Sequence, residues 1–171
     1  INPEEDVKEL QEYLKLDREP TVMECFDISN ISSNHIVASM VRFRNGVSDN
    51  SNYRRYRIKT VKGQDDFASM AEVVRRRYSR ILLEAREHVG DEAADANQES
   101  PLEAMRRIEA DEEAGIFEEG KKRKPFVRLP DLVIVDGGKG QLSMAVKELT
   151  RLGLHDLPVI GLAKQREEVF R

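Results

Sequence analysis

A run of apolar residues that ends in a charge is the feature that most constrains the fold of this chain. Residues 132–135 (LVIV) are all apolar, and they lead directly into Asp136 and the loop GGKG at 137–140. A strand without alternation of apolar and polar residues is typical of a central strand covered on both faces. We therefore expect an α/β domain in which 132–136 is a central strand and a helix over about 140–152 follows the loop.

The other strands are predicted from composition and turn signals. Residues 21–29 and 35–43 are β-branched and apolar, and a polar turn at 30–34 joins them. Residues 52–59 alternate bulky and basic side chains, as a half-exposed strand does. Three strands in quick succession predict an antiparallel meander, and 158–163 predicts a last short strand.

Helical periodicity fills the intervals between the strands. A helix over 2–15 is capped by Asn2, and Pro3 suits its first position. A helix over about 66–86 and the helix after the glycine loop each carry an apolar face. The predicted inner faces are Phe67, Met70, Val74, Ile81 and Ala85 in the first of these, and Leu142, Ala145, Val146 and Leu149 in the second. The predicted order is βββαβαβ, a mixed central sheet flanked by helices.

An acidic stretch interrupts this order. Residues 87–119 hold 12 acidic and 2 basic side chains, a net charge of −10, whereas the rest of the chain carries +6. We interpret 87–128 as a partly helical, partly mobile surface insertion; a tightly packed helical hairpin is the alternative. An amphipathic helix is predicted over 100–114, with Leu102, Met105 and Ile108 on one face.

The bulk properties fit one domain. The chain has 171 residues, of which 39% are hydrophobic, enough for a single core. We treat 1–20 as a linker helix and 21–171 as the domain, and we expect the chain to be a piece of a longer protein. The mildly basic body is compatible with a nucleic-acid partner. The single cysteine, Cys25, cannot form an internal disulfide, so a cytoplasmic setting is the default, and no apolar run is long enough for a membrane span.

Two aspartates fall at similar depth on strands predicted to be neighbours. Asp27 interrupts the apolar run CFDIS, and Asp136 ends LVIVD. Each alone is explained as a strand-end residue that hydrogen-bonds local backbone. Two carboxylates on adjacent central strands would repel each other unless a cation lies between them, and oxygen ligands select Mg²⁺ or Mn²⁺. Asp66 is a candidate third ligand, although a capping role would also explain it.

The loop after Asp136 suits a phosphate. It lacks the spacing of a P-loop, and a tight turn alone would explain its glycines. However, Gly137, Gly138 and Gly140 allow backbone N–H groups to approach an anion at a helix N-terminus, and Lys139 adds a positive charge. Arg54, Arg55 and Arg57, interleaved with tyrosines, are predicted to follow a nucleic-acid backbone; a solvated strand face is the alternative.

Seven segments, in this order, closely resemble the C-terminal half of the UvrC family, the incising subunit of bacterial nucleotide excision repair. They are ECFDIS, VASMV, YRRYRIKT, DDFASM, RRRY, PDLVIVDGGKGQL and PVIGLAK. The resemblance covers 21–86 and 129–170 but not 87–128. It implies an RNase H-like endonuclease domain, with its first and fourth strands adjacent and parallel at the centre of the sheet.

The resemblance also implies a role for each part of the site. Asp27 and Asp136 match the family's catalytic carboxylates, and Asp66 matches a third acidic position. Lys164, in the GLAK motif, joins the predicted phosphate-binding residues. The implied activity is a Mg²⁺- or Mn²⁺-dependent cut on the 5′ side of the lesion, and the implied partners are damaged double-stranded DNA and UvrB within the UvrABC system. The family's N-terminal GIY-YIG domain cuts on the 3′ side.

One departure limits the expected activity. The family's active-site histidine and helix-hairpin-helix region lie beyond the GLAK motif and have no counterpart in this sequence. We therefore expect the chain to hold part of an active site and to cut DNA inefficiently by itself. Two other functions stay open: a non-catalytic DNA or protein docking module of the same fold, and a nucleotide-binding domain that uses GGKG as its phosphate loop.

Overall fold

The computed structural model describes residues 2–32, 34–89, 101–115, 127–163 and 168–170. Within these residues, seven strands form one sheet: β1 (Val22–Ser32), β2 (His35–Arg44), β3 (Val47–Ser48), β4 (Arg54–Arg57), β5 (Leu132–Asp136), β6 (Val159–Ala163) and β7 (Glu168–Phe170). The α-helices are α1 (Pro3–Leu14), α2 (Asp66–Val89), α3 (Pro101–Glu113) and α4 (Lys139–Arg151). No described helix is both long and apolar enough to cross a membrane.

The sheet is mixed, and its strand order is β3-β2-β1-β5-β6-β7, with β4 also paired to β2. β1 is antiparallel to β2, whereas β1–β5 and β5–β6 are parallel pairs. The predicted βββαβαβ order is therefore confirmed, and so is the adjacency of the first strand and the strand before the glycine loop. Two strands were not predicted: the two-residue β3, which follows the Asn45-Gly46 turn, and β7 at 168–170.

The two faces of the sheet carry different helices. Alternate residues of β1 such as Phe26 and Ile28 point into the main core, where α2 contributes Val74 and α4 contributes Ala145. The opposite face carries α1, whose Leu14 packs with Leu132 and Ile160 in a second, smaller cluster. Parity along the strand therefore decides which side chains lie under α2 and α4 and which lie on the α1 face.

The predicted inner faces of the helices are confirmed with two exceptions. Met70, Val74, Ile81 and Ala85 of α2 are buried, and so are Leu142, Ala145 and Leu149 of α4. Phe67 is 54% exposed and Val146 is 44% exposed, so the prediction was wrong for both. Phe67 lies in the first turn of α2, and its ring rests on Gly140 at the start of α4 rather than in the core. Val146 lies at the edge of the stripe formed by its buried neighbours.

The amphipathic helix predicted inside the acidic stretch is confirmed as α3. Met105 and Ile108 are buried, and Met105 belongs to the main core. The Arg106 guanidinium donates hydrogen bonds to the carbonyls of Leu129 (3.3 Å) and Pro130 (2.7 Å). This part of 87–128 therefore packs against the domain; 90–100 and 116–126 lie outside the described residues, so the choice between an insertion and a helical hairpin stays a prediction.

A buried ion cluster joins β1, β2 and α2 on the core side. The Glu24 carboxylate, fully buried, accepts hydrogen bonds from Arg42 (2.5 Å), from Arg77 (2.7 and 3.3 Å) and from the Tyr78 hydroxyl (2.8 Å). Burial, followed by the negative charge of Glu24, raises the pKa of Tyr78 well above its ordinary value. Burial alone would lower the pKa of Arg77, but its hydrogen bond to Glu24 raises it instead. The Tyr78 hydroxyl therefore stays protonated and the Arg77 guanidinium stays charged at neutral pH.

Candidate active site

Asp27 of β1 and Asp136 of β5 lie directly opposite each other in the parallel pair. Opposite residues of neighbouring strands share a face and are about 4.8 Å apart in backbone position, so the two carboxylates are side by side. They lie on the α1 face, four residues farther along each strand than the pair Met23 and Leu132, which packs against α1. The sheet therefore brings together the two aspartates that the sequence predicts as partners.

Neither aspartate of the pair is fully buried. Asp27 and Asp136 are both half-buried. The reason is that α1 covers the earlier part of this face and leaves the region of the pair partly open to solvent. The desolvation cost of each charge is correspondingly smaller. Repulsion between the two carboxylates is weaker as well, because solvent raises the effective dielectric constant, but their short separation keeps it at several kcal/mol.

Asp66 does not cap its helix. Asp65 does so, since its Oδ1 accepts a hydrogen bond from the Ala68 amide (3.0 Å). Asp66 Oδ1 instead accepts a hydrogen bond from Asn30 Nδ2 (3.1 Å), which ties the start of α2 to the far end of β1. Among the described residues, no three or more His, Cys, Asp and Glu side chains are grouped so that they could hold a metal ion. Asp66 as a third ligand therefore stays a prediction.

The contact between Asn30 and Asp66 was not anticipated, because residues 30–34 were predicted to be a turn. That boundary was wrong: β1 continues to Ser32 with an irregularity after Asn30, and β2 begins at His35. The polar residues 30–32 have the composition of a turn. They form part of the strand only because they pair with β2, and composition does not show this pairing.

The glycine loop leaves open space beside the N-terminus of α4. Gly138 is the residue before the helix, with φ −83° and ψ −178°, and no side chain caps the helix there. A Cβ added to Gly138 would meet no atom within 4 Å. Neither backbone conformation nor packing therefore requires glycine at this position. The absence of a side chain keeps the uncapped N–H groups of the helix accessible, which suits an anion.

Gly137 and Gly140 meet different constraints. The Gly137 amide donates a hydrogen bond to the Leu162 carbonyl (3.0 Å) on β6, and a Cβ there would touch the flexible Gln141 side chain. A Cβ on Gly140 would overlap the far edge of the Phe67 ring. Lys139 is the first residue of α4, beside the open space at Gly138. The sequence analysis predicted one role for all three glycines. In the structure, Gly140 packs closely against Phe67, whereas Gly138 borders open space.

The register of β4 divides the three predicted arginines between the two faces. Arg55 is opposite Ser39, which is itself opposite Asp27, so Arg55 lies in the same row and on the same face as the aspartate pair. Arg57, two residues farther along β4, lies on the same face. Arg54 lies on the other face and donates to the carbonyls of Tyr53 (2.9 Å) and Ser51 (3.4 Å). Lys164 lies outside the described residues.

Comparison with known proteins points to one family. Residues 11–171 match the family described as the UvrC RNase H endonuclease domain, a range that includes 87–128. The chain is 42% identical over 164 residues to the UvrABC system protein C of Methanococcus maripaludis, covering 96% of the chain and 23% of that relative. It is 44% identical over 161 residues to the protein of that name from Symbiobacterium thermophilum (94% and 23%) and 40% identical over 163 residues to the one from Christiangramia forsetii (95% and 20%). The chain thus spans less than a quarter of the length of these curated relatives.

Proposed function

Because the chain belongs to the UvrC RNase H endonuclease domain family, we propose that it is the metal-dependent endonuclease domain that makes the 5′ incision in damaged DNA during nucleotide excision repair. The observation that carries this proposal is the in-register pairing of Asp27 with Asp136 on one face of the sheet. The relatives are named UvrABC system protein C, which supports a subunit of such a system.

The carboxylate pair is suited to a divalent cation. Two unit charges at ~5 Å repel by on the order of 3 kcal/mol at an effective dielectric constant of 20. A cation between the carboxylates would turn this repulsion into attraction. Two carboxylates together with substrate phosphate oxygens are an ordinary ligand set for Mg²⁺, which is seldom bound by protein groups alone. The donor set of Asp27 and Asp136 therefore fits one or two Mg²⁺ or Mn²⁺ ions, and Asp66 would complete or orient the coordination.

The residues around the pair would position the phosphodiester. A bound Mg²⁺ or Mn²⁺ would activate water and offset the charge that develops on the phosphate during in-line displacement. Lys139 and the amides near Gly138 would hold phosphate oxygens at the start of α4, where uncapped N–H groups favour an anion. The carboxylates can then share a site with a phosphate because the cation offsets their charge.

The strand β4 would bind the DNA backbone farther from the reaction. Arg55 lies two strands from Asp27 in the same row, which corresponds to about 10 Å. Arg57 lies on the same face, so both guanidiniums can contact phosphates of a strand that passes over the aspartate pair. Arg54, on the other face, would contribute less. Damaged double-stranded DNA, UvrB and the other parts of the UvrABC system are the proposed partners, in the cytoplasm.

Calorimetric titration with Mn²⁺ tests the metal site directly. We expect binding to the unaltered chain and a loss of at least tenfold in affinity in Asp27→Asn and in Asp136→Asn, because each removes one of two charged ligands. Asp156→Asn is the matched control: this aspartate lies in the loop before β6, at the opposite end of the strands, and pairs with His155 (3.3 Å). Asp66→Asn shows whether the third carboxylate contributes.

Two results would contradict the proposal. Equal Mn²⁺ affinity in the unaltered chain, Asp27→Asn and Asp136→Asn would mean that the pair does not hold the cation. DNA binding that persists without any Mn²⁺ binding, both here and in a longer chain that extends past residue 171, would favour the docking-module function. Nicking of a lesion-containing duplex by the longer chain, lost in Asp27→Asn, would support hydrolysis.

A further inference from the structure

Phe67 is an exposed aromatic side chain beside the glycine loop. Helical periodicity assigns it to the buried face of α2, yet 54% of it is exposed. It belongs to neither of the apolar clusters formed by the described residues. Single apolar side chains are common at protein surfaces, so exposure alone assigns no ligand; what distinguishes this ring is its place beside the glycine loop.

The ring is held in place by its neighbours. Its far edge (Cζ, Cε1 and Cε2) abuts the backbone of Gly140, at a distance that leaves no room for a Cβ. The preceding residue, Asp66, is fixed by the hydrogen bond from Asn30. Contact through the ring edge does not use the faces of the ring, which are the surfaces on which a planar group stacks.

The surroundings of the ring match the two halves of a nucleotide. Gly140 is in the first turn of α4, the same turn that leaves uncapped N–H groups and Lys139 beside the open space at Gly138. That turn suits a phosphate, and the ring beside it suits a base. A protein ligand does not need a phosphate site beside an aromatic face, whereas every nucleotide carries both groups joined by one sugar.

We propose that Phe67 stacks on an unpaired base next to the phosphate held at the start of α4. This inference rests on the proposed function and adds the class of substrate: a DNA strand whose bases are unstacked near the cleavage position. The base on Phe67 fixes the path of the strand past Asp136, since Gly140 and Asp136 are separated by only the glycine loop.

The test uses a single-stranded oligonucleotide containing 2-aminopurine, whose fluorescence is quenched when it stacks, with the full chain in buffer containing EDTA. Phe67→Leu keeps an apolar side chain over Gly140 but removes the ring. Phe67→Tyr keeps the ring. Tyr13→Leu is the matched control, because Tyr13 is an aromatic residue on α1 that is 76% exposed. Thermal melting of each variant reports packing separately from binding.

We expect Phe67→Leu to abolish the quenching and to weaken binding by about 5-fold or more, the effect of losing one base–aromatic stack. Phe67→Tyr and Tyr13→Leu should keep both signals. Unchanged affinity and quenching in Phe67→Leu would overturn the inference, and so would equal losses in Phe67→Leu and Phe67→Tyr. Mn²⁺ calorimetry on Phe67→Leu separates the two proposals, because loss of the stack leaves metal binding at Asp27 intact.

Discussion

The buried carboxylate of Glu24 provides the sharpest stability prediction. Glu24→Gln keeps the shape of the side chain and one acceptor oxygen, but it removes the charge that compensates two buried guanidiniums. Removing one partner of a buried ion pair costs about 3–5 kcal/mol, because the remaining charge is left without compensation in a medium of low polarity. Arg42 retains weaker contacts with Asp49 (3.5 Å) and the Arg128 carbonyl (3.4 Å). Among the described residues, Glu24 is the only carboxylate that pairs with Arg77.

These contacts place the expected loss at the lower end of that range, about 3 kcal/mol of unfolding free energy. Urea denaturation followed by circular dichroism measures it. With a slope of about 2 kcal/mol per molar urea, the transition midpoint should fall by about 1.5 M. The slope itself should not change, because the surface exposed on unfolding is the same in both proteins.

Two variants calibrate this result. Tyr78→Phe removes one hydrogen bond from the same carboxylate and leaves both arginines paired, so it should cost about 1 kcal/mol. Glu84→Gln breaks a surface pair with Arg80, whose side chain is 73% exposed, and should cost less than about 0.5 kcal/mol. A midpoint lowered no more in Glu24→Gln than in Glu84→Gln would show that Glu24 does not compensate the buried guanidiniums.

The remaining predictions concern the loop, the arginines and pH. Gly138→Ala should leave stability within about 0.5 kcal/mol but weaken DNA binding. In Gly140→Ala the new Cβ overlaps the far edge of the exposed Phe67 ring, which can move away, so stability should change by less than about 1 kcal/mol; a loss above about 2 kcal/mol in thermal denaturation would contradict this. Arg55→Ala should reduce the salt dependence of DNA binding by about one phosphate contact in fluorescence anisotropy, and Arg54→Ala should reduce it less. Burial raises the pKa of Glu72, but hydrogen bonds outweigh burial and the net shift is downward. Its stabilisation is therefore present above the unfolded value of 4.5 and is lost as the pH falls through the lower folded value, so Glu72→Gln should reduce the difference in unfolding free energy between pH 7 and pH 3.

Local periodicity was sufficient to predict most of the fold. The helix predicted over about 140–152 is observed at Lys139–Arg151, and the strand predicted over 158–163 is observed at Val159–Ala163. Such elements follow from the spacing of apolar residues and from the glycines and prolines that end them. β7 was not predicted because a three-residue strand has no periodicity of its own and forms only by pairing with β6.

The errors concern residues whose environment depends on another element. Phe67 fits the apolar period of α2, but burial would require the sheet to extend under the first turn of the helix. The Glu24 cluster was also not predicted. A glutamate in an apolar strand has no visible partner in the local sequence, because Arg77 and Tyr78 come from α2. In both cases the helix or strand itself was predicted correctly. What the side chain contacts depends on how that element packs against another one.

The aspartate pair depends on register, which no single segment of sequence specifies. Asp131 and Val22 are joined twice, since the Asp131 amide donates to the Val22 carbonyl (2.7 Å) and the Asp131 carboxylate accepts from the Val22 amide (2.9 Å). Asp27 follows Val22 by five residues, and Asp136 follows Asp131 by the same interval. In a parallel pair, residues the same number of positions after a linked pair lie opposite each other. The link between Val22 and Asp131 therefore places Asp27 opposite Asp136.

The acidic stretch contributes to that alignment. The Arg106 guanidinium of α3 lies 3.5 Å from the Asp131 carboxylate and donates to the Pro130 carbonyl, so α3 holds the residue that sets the register of β1 against β5. A segment interpreted from its composition as a surface appendage thus contributes a cation to the link that aligns Asp27 with Asp136. Charge counts could not reveal this role, because a net charge of −10 does not show where Arg106 lies in the fold.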